Sequence, residues 1–133
     1  MNPSTRVFTA AAAQAVPVFL NKDKSVEKAC KLIKQAGKQG ARLIVFPEAF
    51  IPGYPDWIWV VPNGRAGMLN ELYTELVENA VSIPDDSTER ISQAAKEGGI
   101  YVVLGIHERN TESSGASLYN TILYHGDQRP AIT

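Results

Sequence analysis

Apolar and polar positions alternate between two periods along this chain. The uncharged run Leu43-Ile44-Val45-Phe46 is short and β-rich, the pattern of a strand buried on both faces. Ile100 to Ile106 repeats that pattern, and Leu118 to His125 reads as a last strand. Arg6 to Ala15 reads as a first strand, although its alanines would equally suit a helix. Between the strands the period changes. Val26, Ala29, Cys30, Ile33, Ala36 and Gly37 recur at helical spacing. Lys24, Glu27, Lys28, Lys31 and Lys34 cover the other side, which is a solvated charged face. Asn21 and Asp23 are good N-cap types, and Gly40 is a natural stop.

Met68, Leu69, Leu72, Leu76, Val77 and Ala80 predict a second long helix ending before Pro84. A third should start in a capping box from Asp86 to Glu89, bury Ile91, Ala94 and Ala95, and end at Gly98-Gly99. Trp57 to Pro62 is an aromatic, apolar stretch closed by an Asn63-Gly64 turn. Glu108 to Ser117 reads as a polar loop, and Gly126-Asp127 begins a turn. The predicted order is β-α-β-α-α-β-β, an α/β arrangement with helices covering a sheet. No repeat, low-complexity tract or linker divides it.

Candidate chemistry gathers at one strand exit. Pro47 has no N–H and ends the strand, so Glu48 stands at its carboxyl end, where open α/β sheets place ligand sites. Pro52, Gly53 and Pro55 stiffen the loop beyond. Read from the residues alone, Glu48 is either a catalytic carboxylate or one that caps the next turn or pairs with an arginine. Cys30 lies mid-helix on the apolar face, where a thiol behaves as a small hydrophobe and carries little thiolate.

The stretch Phe46-Pro47-Glu48-Ala49-Phe50-Ile51-Pro52-Gly53-Tyr54-Pro55 closely resembles the first catalytic motif of the nitrilase branch of the carbon–nitrogen hydrolases. Ala11 to Val18 and Leu118-Tyr119-Asn120-Thr121 resemble further segments of it, so the likeness runs from about Arg6 to about Asp127. It implies the N-terminal half of a nitrilase-like α-β-β-α four-layer sandwich, which leaves an apolar sheet face exposed.

The resemblance also implies a Glu–Lys–Cys triad that converts a nitrile to a carboxylic acid plus ammonia through a thioimidate and an acyl-enzyme. Glu48 matches the general base. Tyr54 matches the tyrosine that borders the substrate pocket, and Trp57 is a second candidate there. Loop packing is the alternative for Tyr54, Trp57 and Trp59. Glu108 of His107-Glu108-Arg109 would support Glu48 or form a plain surface ion pair, and Asn120 would bond backbone. His125 would sit at a strand edge.

The family's His-Arg-Lys-Leu-type and Cys-Trp-Glu-type motifs do not occur; after Asp127 the chain reads Gln128-Arg129-Pro130-Ala131-Ile132-Thr133. The expectation is therefore a partial domain, truncated before the Lys and Cys motifs. By itself it should be inactive as a hydrolase, or serve as a non-catalytic subunit associating with full-length nitrilase.

Composition removes other classes. Thirteen basic side chains face 14 acidic ones with no basic stripe, which argues against nucleic acid. No apolar run approaches the roughly 20 residues that cross a bilayer, and no targeting segment is read. One cysteine excludes an internal disulfide and suits a reducing cytosol, hence a cytoplasmic protein. His107 and Glu108 have no second histidine at i+4, and no glycine pattern suits a phosphate loop, so no metal or other cofactor is expected. The expected partners are a small-molecule nitrile and further copies of the chain in a homo-oligomer.

Overall fold

The computed structural model describes residues 6–112 and 114–126. The predicted turn at Asp127 and the segment 128–133 lie outside them. The elements in chain order are β1 (Thr9–Ala12), α1 (Lys22–Lys38), β2 (Ala41–Val45), α2 (Trp57–Val60), α3 (Ala66–Glu78), α4 (Asp86–Gly98), β3 (Tyr101–Arg109) and β4 (Leu118–His125).

The strands form one four-stranded sheet in chain order. β1 and β2 run parallel, as do β2 and β3, while β4 returns antiparallel to β3. Helices α1 and α4 bury one face of this mixed sheet. Val26, Ala29 and Ile33 of α1, with Ile91, Ala94 and Ala95 of α4, pack on Ile44, Val102, Leu104 and Ile106 in a single core. The other sheet face stays open. Val45, Tyr101, Ile122 and Tyr124 project from it, with Ile122 54% and Tyr124 74% exposed. The expected uncovered apolar face is present.

Each helix end has a local cause. The Asn21 side chain accepts the Lys24 amide at 3.0 Å and starts α1. Gly40, at φ +89°, follows the C-cap Gln39 in a conformation that costs glycine little. The capping box of α4 begins one residue earlier than the sequence predicts. Asp85 Oδ1 accepts the Thr88 amide, and Thr88 Oγ1 accepts the Asp85 amide, both at 3.0 Å. Asp85 wins over Asp86 because its second oxygen also accepts the Ser82 amide at 3.1 Å. Asp85→Ala should therefore cost about 1 kcal/mol, read as a lowered denaturant midpoint at constant slope.

Other differences are local as well. The strand predicted over 6–15 shortens to Thr9–Ala12, with one further bond from the Ala13 amide to Val45 O at 2.8 Å. β3 runs three residues beyond Ile106, because His107, Glu108 and Arg109 pair with Asn120, Tyr119 and Leu118. Polarity alone had made Glu108 and Arg109 read as loop. The aromatic stretch after Asp56 contains a single helical turn, α2, too short to show a period.

Candidate active site

The exit from β2 is bound to β3 on both sides of Glu48. Phe46 donates its amide to Val103 O at 2.9 Å. After the turn, Ile51 lies beside Ile106 as a parallel bridge, and His107 donates its amide to Ile51 O at 2.9 Å. Between these anchors the chain crosses the open face of β3 directly above Gly105. A Cβ there would stand 2.5 Å from Pro47 O, 2.7 Å from Ala49 N and 2.8 Å from Glu48 Cα. Only a residue without a side chain lets the loop pass. Ala49 holds φ +51°, a left-handed conformation that alanine adopts at a cost of about 1–2 kcal/mol. Pro47 before it and Ala49 after it thus fix the backbone that carries Glu48. Phe46 and Phe50 anchor the same turn in the core, with ring centroids 5.1 Å apart.

Asn120 of β4 donates from Nδ2 to Glu48 Oε1 at 2.5 Å. This contact joins residues 72 positions apart, and it replaces the backbone-bonding role the sequence suggests for Asn120. Both residues border a recess of about 320 Å³, otherwise walled by Val45, Phe46, Val103, Gly105 and Ile122. That volume suits a small ligand, with apolar walls and one directed carboxylate. Glu48 is solvent-exposed. A larger hollow, about 580 Å³, lies at the far ends of β2 and β3 between Arg6, Phe8, Arg42 and Tyr101. Among the described residues its lining holds no carboxylate and no thiol.

The remaining candidates divide. Tyr54 is 45% exposed, Trp57 is half-buried with an indole nitrogen that has no partner, and Trp59 is 78% exposed. None of the three lines the recess beside Glu48. Packing therefore does not account for Trp59. Glu108 points to the opposite sheet face from Asn120, as strand alternation requires, and its Oε2 accepts Thr121 Oγ1 at 2.7 Å. Arg109 turns away and donates from Nε to Gly115 O at 2.7 Å. Glu108 thus bonds Thr121 rather than Glu48.

Cys30 sits in the seam between α1 and α4, with Sγ 3.5 Å from Arg90 O, and burial pushes its thiol up from the usual value. The α1 lysines face outward, pairing Lys31 with Glu27 at 3.2 Å and Lys34 with Glu97 at 3.6 Å. Among the described residues, no lysine or cysteine lines the Glu48 recess. The sequence reading missed Gly105, although an isolated glycine inside an apolar strand is a signal of close backbone approach.

Burial also lowers both histidines, His107 and His125. His125 closes β4 and shares a 2.7 Å contact between Nδ1 and Ser92 Oγ of α4. Near pH 6 the unfolded chain, whose histidines titrate around 6.5, binds protons that the folded chain refuses. This stability is complete well above pH 6.5 and is lost as pH falls from there toward the folded values. Thermal melts should show a lower Tm at pH 5.5 than at pH 7.5. The difference should shrink in a His107→Gln/His125→Gln double variant.

Comparison with known proteins agrees with this architecture. The family model for carbon-nitrogen hydrolases matches residues 9–132. The chain belongs to the carbon-nitrogen hydrolases. Within that family it is 40% identical over 117 residues to a nitrilase from Bacillus sp. (strain OxB-1), covering 88% of this chain and 32% of the relative. It is 43% identical over 114 residues to an arylacetonitrilase from Macrophomina phaseolina, covering 86% and 31%. It is 40% identical over 119 residues to an aliphatic nitrilase from Rhodococcus rhodochrous, covering 90% and 31%. The chain thus spans about a third of the length of these relatives. The C. elegans NitFhit protein has the same fold, with a TM-score of 0.58 at 18% identity over 89% of this chain and 24% of that one. No helix among the described residues is long and apolar enough to cross a membrane.

Proposed function

We propose that this chain supplies the general base and one wall of a nitrilase site, with Glu48 as the base. The observation that carries the reading is the Glu48–Asn120 pair over an apolar recess, inside the Phe46 to Pro55 motif. A nitrile carbon is a weak electrophile and needs a thiolate, a base and a cation near the nitrogen as charge develops there. Glu48 takes the proton of the attacking thiol and later activates the water that releases the acid. Asn120 holds one carboxylate oxygen and leaves the other free for this work. Among the described residues no lysine or cysteine lines the recess, so they do not by themselves complete the triad. The substrate is a small nitrile, a reading supported by relatives named arylacetonitrilase and aliphatic nitrilase. The single thiol, Cys30, suits a reducing cytosol.

The test is a chimera in which the remainder of the Bacillus nitrilase continues this chain. It should release ammonia from phenylacetonitrile or an aliphatic nitrile, whereas the 133-residue chain should release none. Full activity in a Glu48→Gln chimera would overturn the assignment.

A second, non-catalytic reading is favoured by the uncovered sheet face with Val45, Tyr101, Ile122 and Tyr124 exposed. In it the chain associates with further copies or with longer members of the family. Co-purification of a full-length homologue without any gain in ammonia release would favour this reading. A monomer on size exclusion at high concentration would count against it.

A further inference from the structure

Ser92 of α4 and His125 of β4 make a second pair of reactive side chains, on the sheet face opposite to the Glu48 recess. Pairing with β3 sets His125 opposite Val102, whose side chain is buried in the core beneath the helices. The ring therefore turns to α4 and away from the open face. There its Nδ1 lies 2.7 Å from Ser92 Oγ, a contact between residues 33 positions apart. The two partners differ in exposure. Ser92 is exposed, while the ring is half-buried with Nε2 sealed from solvent. Ile91, Ala94 and Ala95, buried on either side of Ser92, anchor the helix that carries the hydroxyl.

A serine inside a helix commonly donates to the carbonyl one turn before it. The Ser92 hydroxyl meets an imidazole instead. A hydroxyl in hydrogen-bond contact with an imidazole is the arrangement of a nucleophile and its base. Burial lowers His125, so the ring is neutral near pH 7 and free to take a proton. Ser92 also borders a groove of about 410 Å³, lined further by Pro84, Thr88, Glu89, Gln93 and Lys96. Glu89 stands three residues before Ser92 and Lys96 four after it, on the same side of the helix. Lys96 is the charge that suits a developing oxyanion.

We propose that Ser92 and His125 form an acyl-accepting dyad for small activated esters bound in this groove. In the ring tautomer with its proton on Nε2, the Ser92 hydroxyl donates to Nδ1. Oγ attacks the ester carbonyl carbon and its proton passes to Nδ1. Collapse of the tetrahedral adduct breaks the bond to the leaving oxygen, which takes that proton and leaves the acyl group on Ser92. Water then gives a proton to the same nitrogen, releases the carboxylic acid and restores the hydroxyl. The amides around Ser92 are spent on helix carbonyls and cannot serve the oxyanion. That limits the substrate to esters whose leaving group departs easily.

The experiment treats the 133-residue chain with p-nitrophenyl acetate at pH 7, following p-nitrophenolate release and locating acetyl groups by peptide mass spectrometry. Ser92 should be acetylated roughly 10²-fold faster than Ser117, an exposed serine before β4 that serves as the internal reference. Ser92→Ala should abolish the fast release. His125→Gln, in a chain with a native-like amide spectrum, should bring Ser92 acetylation down to the reference rate. Ser92 labelled no faster than Ser117 would overturn the proposal, and that measurement needs no variant. So would release unchanged in Ser92→Ala, which would make the imidazole itself the nucleophile. Ser92 acetylation unchanged in His125→Gln would overturn it too. A hydrogen bond that only fastens α4 to β4 would leave Ser92 at the Ser117 rate. No readout involves a nitrile or Glu48, so this dyad and the Glu48 reading stand or fall separately.

Discussion

Glu48→Gln, placed in the chimera with the remainder of a nitrilase, should lower the rate of ammonia release by roughly 10²- to 10⁴-fold, the range lost when a general base is removed. Glutamine keeps the side-chain length and can still accept from Asn120 Nδ2, so the recess keeps its shape and KM should change little. A drop in kcat with KM held is the signature of a group that acts in the transition state rather than in ground-state binding. Asn120→Leu should do less. It removes a charge-assisted hydrogen bond on an exposed pair, which is discounted by solvent to about 1 kcal/mol, or roughly fivefold in rate. Steady-state kinetics on the two chimeras order these effects. Equal losses in both would mean that orientation, not proton transfer, is the larger contribution of Glu48.

Gly105→Ala should be a highly damaging single methyl group in the described fold. The added Cβ would meet three main-chain atoms of the Pro47–Ala49 turn at 2.5 to 2.8 Å, and none of them can rotate away. Either the turn lifts or β3 bends. Overpacking of this kind costs about 1–3 kcal/mol. The more telling effect is on the site, because lifting the turn draws Glu48 from Asn120. The alanine chimera should therefore lose activity while its far-ultraviolet circular dichroism stays close to normal. A Gly64→Ala control should be neutral, since nothing lies within 4 Å of a Cβ at that position. Activity retained in Gly105→Ala would show that the turn does not need its close approach to the sheet.

The legible parts of this fold are those whose causes are local. Helix α1 follows from a three-to-four spacing of apolar residues, an Asn21 cap and Gly40, all within 20 residues of one another. Strand β4 was delimited at both ends by its pattern, because a polar loop precedes it and a glycine follows. Glu48 was found because a long motif surrounds a carboxylate that follows an apolar run. What spacing could not show is what the chain brings together from afar. Asn120 reaches Glu48 from 72 residues away, and Gly105 lies under the turn only because parallel pairing sets β3 beside β2. Glu108 and Arg109 look like loop residues, and only partners in β4 make them part of a strand. Glu108 then faces away from Glu48 for a reason of parity, since it directly follows His107 and successive residues of a strand face opposite ways.

The sheet also divides by how far apart in the chain its partners lie. β3 and β4 pair through eight residues across a short connection, while β2 and β3 pair through three across the whole span from Phe46 to Ile100. Contacts between near neighbours close at little entropic cost, and contacts across a long connection must wait for the helices between them to dock. The hairpin is then the persistent unit, and the strand exit that bears the carboxylate is the last to settle and the first to open. Amide hydrogens of Leu104 and Leu123 should exchange slowly, and those of Phe46 and Ile51 should exchange by smaller, more frequent openings. The reactive end of the molecule is in this sense its loosest seam, closed by the same few bonds that aim Glu48.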